Sequence, residues 1–486
     1  MKKCEKGENR VCQEYETVIG LEVHVELATK SKIFCACATQ FGGAPNTQVC
    51  PVCIGMPGSL PVLNKKVIEY ALTVGVATNC KIAQYCRFDR KNYFYPDNPQ
   101  NYQISQLYIP ICSNGTVEIE TGIGKKVIRI HEIHMEEDAG KLVHEEAKNY
   151  SLIDYNRAGI PLIEIVSEPD MRNAEEVISY LEKLRLLIQY LGVSDCKLQE
   201  GSMRVDVNLS VCAAGALEFG TRTETKNLNS FREIVKAIAH EKARQIGLLK
   251  EGKAVIQETR RWDEKKEYSF TMRSKEEARD YRYFPEPDLP PIVISEKWLE
   301  KIESSQPELR DEKRVRYKKE YDIPEYDINI ITESRDMAEL FEDTTAICNN
   351  PKKVSNWLMV ETLRILKERN LDASEIGYTA DHLAKLIMLT ENKIINSTVA
   401  KEVFEKMFNE NIDPEVYVAE KQLKTVTDQK TLRENVLKIM EENPQSVEDY
   451  RKGKEKAILF LVGQTMKSMN GQADPKIVQF LLEELL

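Results

Sequence analysis

The sequence lacks any apolar stretch of the roughly 18 residues that a membrane-spanning helix needs, so none is expected among its 486 residues. Its first segment, Met1 to Tyr15, is polar and charged, without the apolar core of a secretory signal. The cytoplasm is therefore the expected compartment. No internal repeat and no low-complexity tract occurs, which excludes solenoids and tandem arrays. A general excess of basic residues is also missing. The net charge of −10 excludes a broadly basic nucleic-acid coat and leaves room only for a local patch. A phosphate-binding Walker loop is absent as well. Around Gly140-Lys141, Met135 stands where the first glycine belongs and Leu142 where Ser or Thr belongs.

What is present suggests about three domains. The chain reads as α+β: a β-rich part over 15–293, a helical part over 294–406 and a small helical module over 407–486. Val18 to Leu27 alternates, with Leu21, Val23, Val25 and Leu27 on one face and Glu22, His24 and Glu26 on the other. That period of two predicts a half-buried strand. Arg204 to Val211 repeats it, with Arg204, Asp206, Asn208 and Ser210 on the polar face. Between them, Asn173 opens a predicted helix, with Glu176 placed for a capping box and Gly192 as its stop. The Pro-rich segment Tyr283 to Pro291 predicts a domain boundary just beyond it.

Four groups of residues could carry chemistry. Glu22, His24 and Glu26 lie roughly 6.5–7 Å apart on one strand face, either to hold a divalent ion or merely as a solvated face. Glu136, Glu137 and Asp138 are three consecutive acids, either exposed or binding a hard cation such as Mg²⁺. Glu164 interrupts the apolar run Pro161 to Val166, and a buried charge is costly unless it is paired or metal-bound. Cys35, Cys37, Cys50 and Cys53 form two close pairs, the spacing of a structural Cys₄ zinc site. The other eight of the 12 cysteines read as ordinary thiols, since a reducing compartment disfavours disulfides. Near the end, Arg451, Lys452, Lys454, Lys456 and Lys467 make a basic cluster that could face phosphate or simply water.

Together these motifs resemble the B subunit of the tRNA-dependent aspartyl/glutamyl amidotransferases. The matching strings are Ile19 to Glu26, Phe88 to Asp97, His134 to Lys141, Pro161 to Asp170, Asp280 to Asp288 and Phe460 to Gln464. The likeness spans nearly the whole chain from Tyr15, leaving residues 1–14 as an unmatched extension expected to be disordered. The resemblance implies a cradle-shaped catalytic domain, a helical domain and a tail similar to the YqeY protein. It implies ATP- and Mg²⁺-dependent phosphorylation of the side-chain carboxylate of misacylated Glu-tRNA(Gln) or Asp-tRNA(Asn). Amidation would follow, with ammonia from the amidase (A) subunit of a heterotrimer clasped by a small (C) subunit. By motif, His24, Glu137 and Glu164 resemble the Mg²⁺ ligands, and Glu22 and Glu136 a neighbouring cation-binding pair. The basic tail cluster would contact tRNA(Gln) or tRNA(Asn). No Gly-Gly-Ser-Ser-type amidase motif occurs, so ammonia must come from a partner. The alternatives are an archaeal-type E subunit, a stand-alone kinase or ligase of small acids, and a zinc-stabilised RNA-binding scaffold without catalysis.

Overall fold

A computed structural model describes residues 14–145, 150–274, 281–425, 428–454, 456–469 and 472–486. The expectation of disorder near the N-terminus concerns residues outside this set. The chain divides into two compact units, residues 1–309 and 310–486. Among the described residues, no helix is long and apolar enough to cross a membrane.

In the first unit, β1 (Tyr15–Glu26) and helix α1 (Lys65–Ala77) precede the short strands β2 (Lys81–Ile82), β3 (Tyr85–Cys86), β4 (Asp89–Asn92) and β5 (Tyr102–Ser105). The hairpin β6 (Cys112–Thr121) and β7 (Gly124–Glu137) is followed by a second one, β8 (Lys141–Glu145) and β9 (Tyr150–Asp154). Then come β10 (Pro161–Ser167), α2 (Ala174–Tyr190), β11 (Met203–Ala213), β12 (Thr223–Leu228) and α3 (Phe231–Lys250). The unit closes with β13 (Glu258–Asp263), β14 (Tyr268–Ser274), β15 (Phe284–Pro285), β16 (Ile292–Val293) and α4 (Glu296–Ser304). Nine strands form one sheet in the order β14-β13-β12-β11-β1-β10-β7-β6-β2. β1 is thus central, and Leu21, Val23 and Val25 are fully buried in a core shared with Leu181 and Leu184 of α2 and Ile234 of α3.

Helix α2 starts where the capping signal placed it: the Asn173 side chain accepts from the Glu176 N–H. Glu176, however, does not close the box. Its carboxylate accepts from the Arg172 N–H at 2.8 Å and pairs with Lys126. Gly192 follows the C-cap residue Leu191 at φ +66°, a left-handed conformation that glycine adopts without strain.

The expected boundary at 293/294 moves to 309/310. The Pro-rich segment is a set of edge strands rather than a linker. Phe284 and Pro285 pair with β4, and Ile292 and Val293 with β3, positions where proline is tolerated. Arg90 grips the buried Glu286 through Nε at 2.6 Å and Nη2 at 2.9 Å. Ile302 of α4 belongs to the same core.

The second unit is helical and has two apolar cores. Helices α5 (Arg310–Glu320), α6 (Glu325–Ile331), α7 (Arg335–Cys348) and α8 (Pro351–Asn356) lead into a π-helical turn, Trp357–Thr362. After α9 (Leu363–Arg369) come α10 (Ala380–Glu391), α11 (Ser397–Glu410) and α12 (Pro414–Glu420). Phe341, Leu358, Leu386 and Phe404 centre the first core. The expected boundary at 406/407 cuts through α11, whose Met407 and Phe408 belong to that core. The tail's own core begins with Leu432. It is built by α13 (Gln429–Glu442), α14 (Pro444–Arg451), α15 (Lys456–Ser468) and α16 (Pro475–Leu485).

Candidate functional site

Strands β1, β10 and β7 are antiparallel neighbours, and their register aligns chemistry. His24 stands opposite Glu164, and Glu164 opposite His134. Because alternate residues share a face, Glu136 joins His134 on that side. Glu164 Oε2 lies 3.3 Å from His24 Nε2 and 3.0 Å from His134 Nε2. Glu136 Oε1 lies 3.6 Å from His24 Nε2, and its other oxygen accepts from the Ser105 hydroxyl at 3.3 Å.

Burial alone would raise the Glu164 carboxyl, but the His134 and His24 imidazoles beside it hold it well below the usual range. Burial likewise works against charging His134, and Glu164 outweighs it, lifting the imidazole to about 10. His24 is raised for the same reason. Positive charge is thus demanded here, and protons supply it. A cation bound among these donors would reverse that logic. One nitrogen of His24 and one oxygen each of Glu136 and Glu164 lie within 4.8 Å of one another. Neighbouring ligands of an octahedral Mg²⁺ sit about 3 Å apart, so spacings of 3.3 and 3.6 Å suit such an ion. Two carboxylates match its preference for oxygen.

Glu137, expected among the Mg²⁺ ligands, lies apart from this group. It follows Glu136 directly on β7 and so points to the other side of the strand. Its carboxylate accepts from the Ile104 N–H at 3.0 Å and from the Gln100 amide. Burial pushes it up to about 8. It lines a cavity of about 210 Å³ with Lys32, Cys53, Gln100 and Tyr102. The carboxylate that joins His24 and Glu164 is Glu136.

Glu22 faces a second group. Its carboxylate, accepting from Asn208 at 2.9 Å, clusters with Asp206 of β11 and Glu224 of β12. Lys226 already serves this group, bonding Asp206 and reaching Glu224 at 2.8 Å. Glu22 and Glu136 therefore belong to different clusters. Burial and then Glu164 raise the Glu22 carboxyl. Farther along β1, burial and Asp138 push Glu26 up to about 7. Asp138 itself is clamped by Arg204 at 2.8 Å and Arg157 at 3.0 Å. His134, Asp206 and Arg204 carry the period-two signal that exposed Glu22 and His24. Glu224 and Lys226 on β12 carried no such mark.

Cys35, Cys37, Cys50 and Cys53 converge, with one sulfur of each within 4.8 Å of the others. The Cys50 and Cys53 sulfurs are 3.9 Å apart. Zinc–sulfur bonds of about 2.3 Å in a tetrahedron put sulfurs about 3.8 Å apart, so the donor set fits zinc. The Cys35 thiol donates to Cys53, which raises the first and lowers the second to about 5. Burial raises Cys37 to about 11. Among the described cysteines none is disulfide-bonded.

In the tail, Arg451, Lys452, Lys454, Lys456 and Lys467 are all exposed. Lys452 pairs with Glu448 at 2.6 Å and Lys454 with Asp449 at 3.0 Å. Exposed pairs of this kind are weak, about 0–1 kcal/mol, and exchange readily for a phosphate.

Residues 17–300 match the family model of the GatB/GatE catalytic domain, and residues 339–486 that of the GatB domain. The aspartyl/glutamyl-tRNA(Asn/Gln) amidotransferase B subunit of Agathobacter rectalis is 67% identical over 472 residues, 97% of this chain and 99% of that protein. The protein of the same name from Lachnospira eligens is 64% identical over 481 residues, covering 98% and 100%. That of Caldicellulosiruptor saccharolyticus is 57% identical over 476 residues, covering 97% and 99%.

Proposed function

The chain belongs to the family of aspartyl/glutamyl-tRNA(Asn/Gln) amidotransferase B subunits, and from that premise we propose that its central sheet activates the side-chain carboxylate of a misacylated tRNA. The observation that carries this reading is Glu164, an acid set between two imidazoles with Glu136 beside them. A carboxylate is a poor acyl donor because oxide is a poor leaving group. One of its oxygens attacks the γ-phosphorus of ATP, the bond to the bridging oxygen of ADP breaks, and an acyl phosphate forms. Ammonia then attacks the acyl carbon, phosphate departs, and the amide remains. Such transfers need positioning and charge neutralisation more than covalent chemistry by the protein.

His24, Glu136 and Glu164 would hold the Mg²⁺. When bound, Mg²⁺ neutralises phosphate charge and orients the oxygens. His134 fixes the Glu164 oxygen at 3.0 Å, so this ligand is oriented in advance. Lys226 keeps the neighbouring acids Glu22, Asp206 and Glu224 compensated, which spares the phosphates their repulsion. Glu137 stands apart, on the cavity side of β7.

The chain would work in the cytoplasm with the amidase (A) subunit, which provides ammonia, and the small (C) subunit. The four cysteines would hold structural zinc. The basic tail cluster would meet tRNA(Gln) or tRNA(Asn) phosphates. The second family model and the near-complete coverage of B-subunit relatives favour this reading over an E subunit, a small-acid kinase or a non-catalytic scaffold. The test is reconstitution with both partner subunits. ATP-dependent conversion of Glu-tRNA(Gln) or Asp-tRNA(Asn) is expected, and failure with both substrates would refute the reading.

A further inference from the structure

Lys32 lies three residues before Cys35 and is fully buried. Its Nζ has two partners, Cys53 Sγ at 3.5 Å and the Tyr155 carbonyl at 3.3 Å. No carboxylate among the described residues pairs with it. The stem lies against Gly159, where an added Cβ would stand 3.5 Å from both Lys32 Cδ and Cys53 Cβ. The ammonium is therefore packed into place on the inner side of the cysteine cluster.

A buried ammonium is costly unless an opposite charge faces it. The Tyr155 carbonyl, a neutral partner, does not offer that charge. A divalent ion held by four thiolates does, because the centre then carries about two net negative charges. We propose that Lys32 is the internal counter-charge of the four-cysteine metal centre, donating to the Cys53 thiolate and tying the centre to the backbone of Tyr155. The proposal rests on the zinc reading of these cysteines.

The wider geometry gives this tie a structural consequence. Asn46, in the loop between the two cysteine pairs, accepts from the Tyr155 N–H at 2.8 Å. Its own N–H donates to Asp154 at 3.0 Å, and its side-chain amide donates to the Ile153 carbonyl at 2.9 Å. The Gln48 N–H donates to Asn156 at 2.9 Å. The metal loop is thus laced to the end of β9, and Lys32 is the charged member of that lacing. It also lines the cavity that holds Glu137, so the same contact braces one wall of that cavity.

The test compares the full chain with its Lys32→Met and Lys32→Gln variants. All are purified under reductant without chelator, and folding is checked by circular dichroism. Zinc content is measured by mass spectrometry, and zinc release to a chromogenic chelator is followed in time. Changing a group that supports metal ligands shifts affinity by roughly 10–100-fold. Wild-type protein is expected to hold one zinc per chain, and Lys32→Met to release it at least about tenfold faster. Lys32→Gln, which keeps a donor but not the charge, should behave like Lys32→Met and serves if that variant does not fold. Hydrogen exchange at 153–156 should rise in either variant. Zinc-loaded wild type with equally slow release from the folded variants would overturn the role of Lys32 alone. Wild type that neither contains nor takes up zinc would overturn the zinc reading and the proposal with it.

Discussion

Substituting Glu164→Gln keeps the shape of the side chain and removes the charge that two imidazoles share. At 3.0 and 3.3 Å, each contact between unit charges is worth about 5 kcal/mol at an effective dielectric constant near 20. Because burial of the charges offsets much of that, the net cost of breaking such a pair is about 3–5 kcal/mol. Much of it falls on metal binding, since the glutamine would offer a neutral oxygen in place of a carboxylate. The Mg²⁺ concentration for half-maximal activity should rise by at least about 100-fold, the upper end of what changing a supporting residue does. The assay is ATP-dependent amidation of misacylated tRNA by the reconstituted complex across a Mg²⁺ series. Glutamine hydrolysis by the amidase partner is measured in parallel and should survive. A Glu164→Gln complex with wild-type Mg²⁺ dependence would refute the assignment of this residue.

Glu136→Gln should raise the Mg²⁺ requirement by roughly 10–100-fold, whereas Glu137→Gln should leave that requirement unchanged; the same magnesium series distinguishes them. Glu241 is buried and held low because burial is outweighed by bonds from Arg244, Gln245 and Thr223. A depressed folded-state value means its stabilisation is full above the unfolded value near 4.5 and is lost as pH falls through the folded one. Chemical denaturation against pH should therefore show Glu241→Gln less stable by about 3 kcal/mol at neutral pH, with a shallower loss in acid. Replacing Lys456 and Lys467 by alanine should weaken tRNA binding and lower the slope of log affinity against log salt by about 1 per lost phosphate contact. Unchanged slopes would remove these residues from the interface.

Much of the site was legible because period-two patterning announces a strand and its polar face. Glu22, His24 and Glu26 emerged that way, and so did Arg204, Asp206 and Asn208. The same parity applied to β7 would have separated Glu136 from Glu137. Reading the acids as one string blurred them, whereas a strand sends neighbours to opposite faces. The row His24–Glu164–His134 needed the pairing of three strands, which local sequence does not encode. The boundary near 293 slipped for a similar reason. Proline suggested a linker, but the partner that holds Glu286 in place is Arg90, 196 residues earlier. Lys32 gave no signal, since a lone lysine predicts exposure and only the folded cluster supplies its reason for burial. The cysteine pairs, by contrast, were legible because metal-ligand spacing is local.

If the substrate carboxylate becomes an acyl phosphate on this chain, one of its oxygens must leave with the phosphate. Labelling the side-chain carboxylate of tRNA-bound glutamate or aspartate with oxygen-18, and supplying ATP, glutamine and the complete complex, follows that oxygen. The phosphate released should carry one labelled oxygen from the carboxylate, and Glu164→Gln should suppress the transfer at Mg²⁺ levels that saturate the wild-type complex. Amidated tRNA formed alongside unlabelled phosphate would contradict acyl phosphate formation.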